Sequence, residues 1–161
     1  MKFNFFQPSL RIGSVCELTP PKLETLELKN LLLDADSTLK RYRAEMPEPD
    51  ICEWLEQMKT HRIGLCLVSN GKGFRIRRFA ENIALPVIPA ALKPLPRGCN
   101  EAVRLMNFDK KTTAMVGDQV FADVLAGKWA GLFTILVEPV HPEEEHWFTR
   151  IKRPFEKIVL R

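Results

Sequence analysis

Short apolar runs alternate along this chain with longer stretches in which apolar residues recur every three or four positions. Runs of the first kind suit buried strands and those of the second suit amphipathic helices, so the order predicts βαβ units around a mainly parallel sheet. Leu31 to Asp34 is the first strand. A helix follows from about Pro49 to His61, with Ile51, Leu55 and Met58 spaced for one face. The second strand lies in IGLCLVSN, and a helix then covers about Gly73 to Asn82. PVIPA is a short third strand, the helix after Pro96 ends near Asn107, and TTAMVGD is a fourth strand. A helix from Gln119 to Trp129 and a fifth strand, GLFTILVEP, complete the pattern.

Upstream, Thr19 with Pro20 and Pro21 has the form of a helix cap followed by proline in the first turn. Residues 1–28 are therefore expected to form an arm with a short helix, and residues 29–161 the main domain. Pro154 should break any helix in the tail into two pieces. Only about ten residues separate Thr38 from the helix near Pro49, and a single helix fits between Asn70 and the next strand. Neither gap has room for a large cap. The site at the strand ends should be open, which favours large or surface-displayed substrates.

Composition narrows the class. A chain of 161 residues, 45% hydrophobic and 27% charged, fits one soluble globular domain with a proper core. Its net charge of +4 is concentrated near the C-terminus in Arg150, Lys152, Arg153, Lys157 and Arg161. That cluster suits an anionic phospholipid or another polyanion; a solvated helix end would carry the same charges. Cys16, Cys52, Cys66 and Cys99 are scattered without a CxxC pair, which argues against a zinc site and a disulfide framework. A reducing, cytoplasmic setting is the default, with peripheral membrane attachment as the variant. No run reaches the ~18 to 20 apolar residues of a membrane span, and the N-terminal apolar run is too short for a secretory signal. The phenylalanines of MKFNFF are expected to cover an edge of the domain.

The chemistry collects where the strands end. The first gives Asp34 and Asp36, then Thr38; the second gives Ser69 and Asn70; the segment ALKP gives Lys93; the fourth gives Gly117, Asp118 and, five residues on, Asp123. Open α/β sheets bind ligands at the carboxyl ends of their strands. Neighbouring carboxylates repel unless a cation neutralises them, and hard oxygen donors suit magnesium. A hydroxyl, free amides and a lysine supply donors for phosphate oxygens. Singly, each element is ordinary: a solvated loop, a turn, a surface lysine, a helix cap. Four strand ends in order on a βαβ chain turn them into one expectation, phosphoryl transfer.

DADST, VSN, the lysine of ALKP and VGDQVFAD resemble the four motifs of the haloacid dehalogenase (HAD) superfamily of phosphohydrolases, over about residues 29 to 137. The missing cap and the form of the fourth motif resemble the IIIA subgroup, and within it the YqeG-type bacterial proteins and related phosphatidylglycerophosphate phosphatases. Ala35 and Ser37 depart from the commoner DLDNTL, and Ala122 replaces a usual threonine. The resemblance implies a Rossmann-like three-layer α/β/α domain with a mainly parallel five-stranded sheet and a Mg2+-dependent phosphatase. It also implies roles. Asp34 would be the nucleophile that becomes an aspartyl-phosphate, and Asp36 the acid and then base. Ser69 and Lys93 would hold the phosphate with Asn70 supporting. Asp34, Asp118 and the Asp36 carbonyl would bind the metal, and Asp123 would orient Lys93 or a metal-bound water. Thr38 and Gly117 would support the site.

The resemblance and the basic tail together point to phosphatidylglycerophosphate as substrate at a membrane surface. A phosphatase for a soluble metabolite or phosphoprotein is the alternative, and a non-catalytic interaction module is remoter because all the motif acids are present. Nucleic acid is not an expected partner, since no known nucleic-acid-binding signature appears.

Overall fold

The computed structural model describes residues 4–160. Six parallel strands make one sheet in the order β1-β6-β5-β2-β3-β4. The strands are β1 (Leu10–Ile12), β2 (Asn30–Leu33), β3 (Gly64–Val68), β4 (Val87–Ile88), β5 (Thr113–Gly117) and β6 (Phe133–Val137). The helices are α1 (Pro20–Thr25), α2 (Pro49–Thr60), α3 (Phe74–Asn82), α4 (Arg97–Leu105), α5 (Leu125–Trp129) and α6 (Trp147–Val159). Thr19 caps α1 through its side chain, with prolines in the first turn as expected.

Period-two alternation divides the strands between two helical layers. Leu31 and Leu33 of β2 sink into one core with Trp54, Met58 and Phe79. Leu32, Cys66 and Val68 face the other, with Cys99, Ala102 and Ala126. Each buried leucine contributes about 1.5–3 kcal/mol relative to exposure. The three-layer α/β/α expectation holds, and the segments after β2 and β3 carry turns rather than a cap.

Three features differ from the sequence expectation. The sheet has six strands, not five, because Leu10–Ile12 within the arm pairs with Ile135–Val137 at the edge. Three residues are too few to show a period; the pairing makes the strand, helped by the Ser9 amide donating to Thr134 Oγ1 at 3.1 Å. The arm also feeds the main core: Leu18 and Leu23 are fully buried, and the Trp54 indole N–H donates to the Leu18 carbonyl at 2.9 Å. Phe6 meets Phe121 edge-on at 5.7 Å, so that phenylalanine does cover an edge of the domain; Phe3 lies outside the described residues.

Second, the expected helix from Gln119 opens as a π turn, Val120–Val124, before α5. The amides of Asp123 and Val124 both donate to the Gln119 carbonyl, at 2.8 and 3.2 Å. Third, α6 runs through Pro154 unbroken. Proline removes the bond to the Arg150 carbonyl, but both residues are exposed, where water can take that carbonyl. Arg153 and Glu156, on either side of the proline, are tied to the domain and hold the two halves in line.

Burial pushes the Cys66 thiol up to about 12 and the Cys99 thiol up to about 11, so both are neutral and shielded at ordinary pH. Cys16 and Cys52 are only partly buried. Titration of the native protein with a thiol reagent at about pH 8 should label Cys16 and Cys52 and spare the other two until denaturant is added. Rapid labelling of all four would contradict the packing described.

Candidate active site

Parallel strands bring their carboxyl ends to one edge, and the chain reverses its direction across the sheet between β2 and β5. That crevice is where a doubly wound sheet takes its ligand. Asp34 follows β2, Asp118 follows β5, and Ser69 follows β3 next to them.

At the centre is a buried lysine. Lys93 Nζ lies 2.6 Å from Asp34 Oδ1 and 2.6 Å from Asp123 Oδ1. The Thr38 hydroxyl is 2.8 Å from Asp118 Oδ1 and 3.4 Å from Asp34 Oδ2, so it can serve either acid. Oxygens of Asp34, Asp118 and Asp123 all lie within 4.8 Å of one another, and all three residues are buried. Asn70 secures the lysine's backbone: its Nδ2 donates to the Lys93 carbonyl at 3.0 Å, and its Oδ1 accepts the Lys93 amide at 2.7 Å. Ser69 Oγ accepts the Gly71 amide at 3.0 Å.

Gly117 has a steric reason. A Cβ there would sit 2.2 Å from Asp123 Cγ, so only glycine lets the π turn press Asp123 against the end of β5. Asp123 Oδ2 also accepts the Gln119 amide at 3.0 Å. Ser37 adopts a left-handed backbone, φ 63°, which asparagine enters more easily than serine.

The sequence-derived residues do not all converge equally. Asp34, Thr38, Lys93, Asp118 and Asp123 form one bonded cluster. Asp34, Asp36, Ser69 and Asn70 line a shared cavity of about 140 Å³. Asp36 nevertheless turns its carboxylate to Lys40, with Arg75 at 3.5 Å, instead of to the cluster. Strand alternation would point residues 34 and 36 the same way, but the strand ends at Leu33.

Arg153 was legible only as part of the basic tail, yet its guanidinium bonds the Asp118 carboxylate and carbonyl, Glu145 and Glu156. No local motif marks a partner 35 positions away. Arg161 lies outside the described residues. His146 and Thr149 of the tail also line the cavity, with Tyr42 from the segment after β2, so a site expected to be open is narrowed.

Five buried carboxyls, Asp34, Asp118, Asp123, Glu145 and Glu156, thus share two cations, Lys93 and Arg153. Burial pushes Asp34 well above the usual carboxylate range, and Asp123 and Asp118 add to the rise against the pull of Lys93. Burial and then Asp123 push Asp118 up to about 7, despite Arg153. For Lys93 burial acts downward, but Asp123 and Asp34 outweigh it and keep the ammonium charged. The excess of negative charge and the all-oxygen donor set fit a hard divalent cation.

A model of the haloacid dehalogenase-like hydrolase family matches residues 15–131. The chain is 36% identical over 157 residues to the probable phosphatase YqeG of Bacillus subtilis strain 168, covering 98% of this chain and 91% of that protein. Among solved structures, the cobalt-bound deoxy-D-mannose-octulosonate 8-phosphate phosphatase YrbI of Haemophilus influenzae aligns with a TM-score of 0.57 at 14% identity, over 84% of this chain and 90% of that one. A putative 3-deoxy-D-manno-octulosonate 8-phosphate phosphatase from Vibrio cholerae gives 0.56 at 10% identity, over 82% and 79%. These two likenesses bear on the fold alone. The chain belongs to the haloacid dehalogenase-like hydrolases, and within them to the phosphatases of the YqeG type.

The raised carboxyls give a signed pH effect. Between the ordinary carboxylate range and about pH 7 the metal-free folded protein holds protons that the unfolded chain has released, so stability falls as pH rises through that window. The Tm without metal should drop from about pH 5 to about pH 8. A divalent cation, with magnesium as the probe, should raise it more at the higher pH, because the cation needs ionised ligands. Scanning calorimetry with and without magnesium measures both trends; a flat metal-free profile would contradict the charge imbalance.

Proposed function

We propose that the protein is a magnesium-dependent phosphomonoesterase working through an aspartyl-phosphate on Asp34, and that it removes the terminal phosphate of phosphatidylglycerophosphate. The observation that carries the catalytic part is the buried Lys93 ammonium 2.6 Å from Asp34, at the switch point of the sheet and beside the cavity. In this reading an Asp34 oxygen attacks phosphorus while the bond to the alcohol oxygen breaks, and Asp36 gives that oxygen a proton. Water then attacks the acyl phosphate, Asp36 takes its proton back, and inorganic phosphate leaves with Asp34 regenerated.

The residues divide this work by position. Lys93 and the Ser69 hydroxyl offer donors to the phosphoryl oxygens, and Asn70 holds the Lys93 backbone. Asp123 keeps the lysine charged. Asp34, Asp118 and the Asp36 carbonyl would hold magnesium, which supplies positive charge against the phosphoryl oxygens. Asp36 stands on the cavity wall away from the cluster, where a leaving oxygen can reach it.

The substrate reading has its own support. Asp36 also lines a second cavity, together with Lys40, Lys72 and Arg75. A leaving alcohol that carries another anionic group would extend from Asp36 into these cations. A glycerol joined to a lipid by a phosphodiester is such an alcohol.

Asp34→Asn should abolish hydrolysis of an aryl phosphate, a loss of at least about 10³-fold, while the protein stays folded by circular dichroism. Retained turnover would remove Asp34 as nucleophile. For the substrate, kcat/KM on phosphatidylglycerophosphate in vesicles should exceed that on sugar phosphates and nucleotides by about tenfold or more. Arg75→Ala should narrow that gap by lowering kcat/KM on the lipid more than on the aryl phosphate. A preference for the soluble compounds would refute this assignment and leave the catalytic one standing.

A further inference from the structure

Helix α6 is amphipathic in the opposite sense to a core helix. Glu156 is its one buried side chain, and Arg153 beside it reaches Asp118 and Glu145. Trp147, Phe148, Ile151, Phe155 and Ile158 are each more than half exposed. At 100° per residue these five fall within an arc of about 100°, opposite Arg153 and Glu156. Monomeric soluble proteins rarely expose a stripe of this kind, and such stripes mark interaction surfaces.

Its flanks say what it meets. Lys152 borders one side of the stripe, with Nζ 4.5 Å above the Phe148 ring, and Arg150 and Lys157 border the other. The helix has no exposed acid, since Glu156 faces inward. Glu143 and Glu144 in the preceding turn are engaged by His141 and Arg41. Aromatic and branched apolar residues between cations are the pattern of a helix lying in the headgroup layer of an anionic bilayer, with lysine stems along the apolar surface and ammonium groups among the phosphates.

We propose that the outward face of α6 docks the enzyme on an anionic membrane. This rests on the lipid-substrate reading for its purpose but stands on separate residues. The start of the same helix belongs to the catalytic cleft: His146 and Thr149 line the cavity with Asp34 and Ser69. A bilayer on the stripe would therefore lie beside the cavity mouth. Arg153 fastens the helix to Asp118 and fixes the distance between membrane and site. A headgroup could enter while its acyl chains remain in the bilayer.

Vesicle sedimentation tests this without catalysis, using phosphatidylcholine vesicles with and without phosphatidylglycerol, neither of which carries a phosphomonoester. The protein should bind the anionic vesicles and largely ignore the neutral ones. Ile151→Glu with Phe155→Glu should weaken that binding by about tenfold or more. Lys152→Glu with Lys157→Glu, which leaves the apolar stripe intact, should do the same and guards against misfolding of the first pair. Both should keep aryl phosphate turnover within about twofold. Absence of binding by the parent protein, or unchanged binding in both variants, would overturn the proposal. So would an apolar variant that splits a dimer in sedimentation velocity, since the face would then be a subunit interface. Vesicle binding with no aryl phosphate turnover would instead strike only at the catalytic reading.

Discussion

A lysine ammonium buried between two carboxylates is the constraint around which this molecule is arranged. Lys93 would be costly in the interior alone, and so would Asp34 and Asp123; each is tolerable because the others are within bonding distance. Local backbone features follow from keeping them there. Asn70 binds the lysine's amide and carbonyl, Gly117 clears space for Asp123, and the π turn after β5 presents that acid to the ammonium. Even so, the lysine does not balance the site. Asp118 must find its partners in Thr38 and in Arg153, which arrives from the far end of the chain.

That second cation links two parts of the protein that the sequence presents as unrelated. Arg153 joins α6 to the buried acidic cluster at the strand ends, while the other side of the helix is apolar and rimmed with lysine and arginine. Polar groups inward and apolar groups outward reverse the usual rule for a surface helix. The reversal has a reason if the helix has two interfaces, an ionic one with the buried acids Asp118 and Glu145 and, as proposed, an apolar one with a lipid surface. Among the described residues no helix is long and apolar enough to cross a membrane, so contact through α6 would be at the surface.

Much of the fold and of the site could be read from residue order, for definite reasons. The apolar runs of β2, β3 and β5 are continuous because both faces are covered, and the polar residues that stop them lie at one edge because the strands are parallel. What escaped reading depends on contacts made at long range. Strand β1 exists because β6 offers an edge, not because Leu10–Ile12 shows a period. Pro154 fails to break α6 because Arg153 and Glu156 hold the residues around it. Asp36 departs from Asp34 because alternation stops at Leu33 and Lys40 captures its carboxylate. Arg153 itself carries no motif; its role is conferred by where the fold puts Asp118.

The most direct test of the charge arrangement is a crystal structure grown with magnesium and beryllium fluoride, which mimics a phosphoryl group on a carboxylate. The adduct should form on an Asp34 oxygen, with Lys93 within hydrogen-bond distance of its fluorines and magnesium held by Asp34 and Asp118. An adduct on another carboxylate, or magnesium bound away from Asp34 and Asp118, would contradict it.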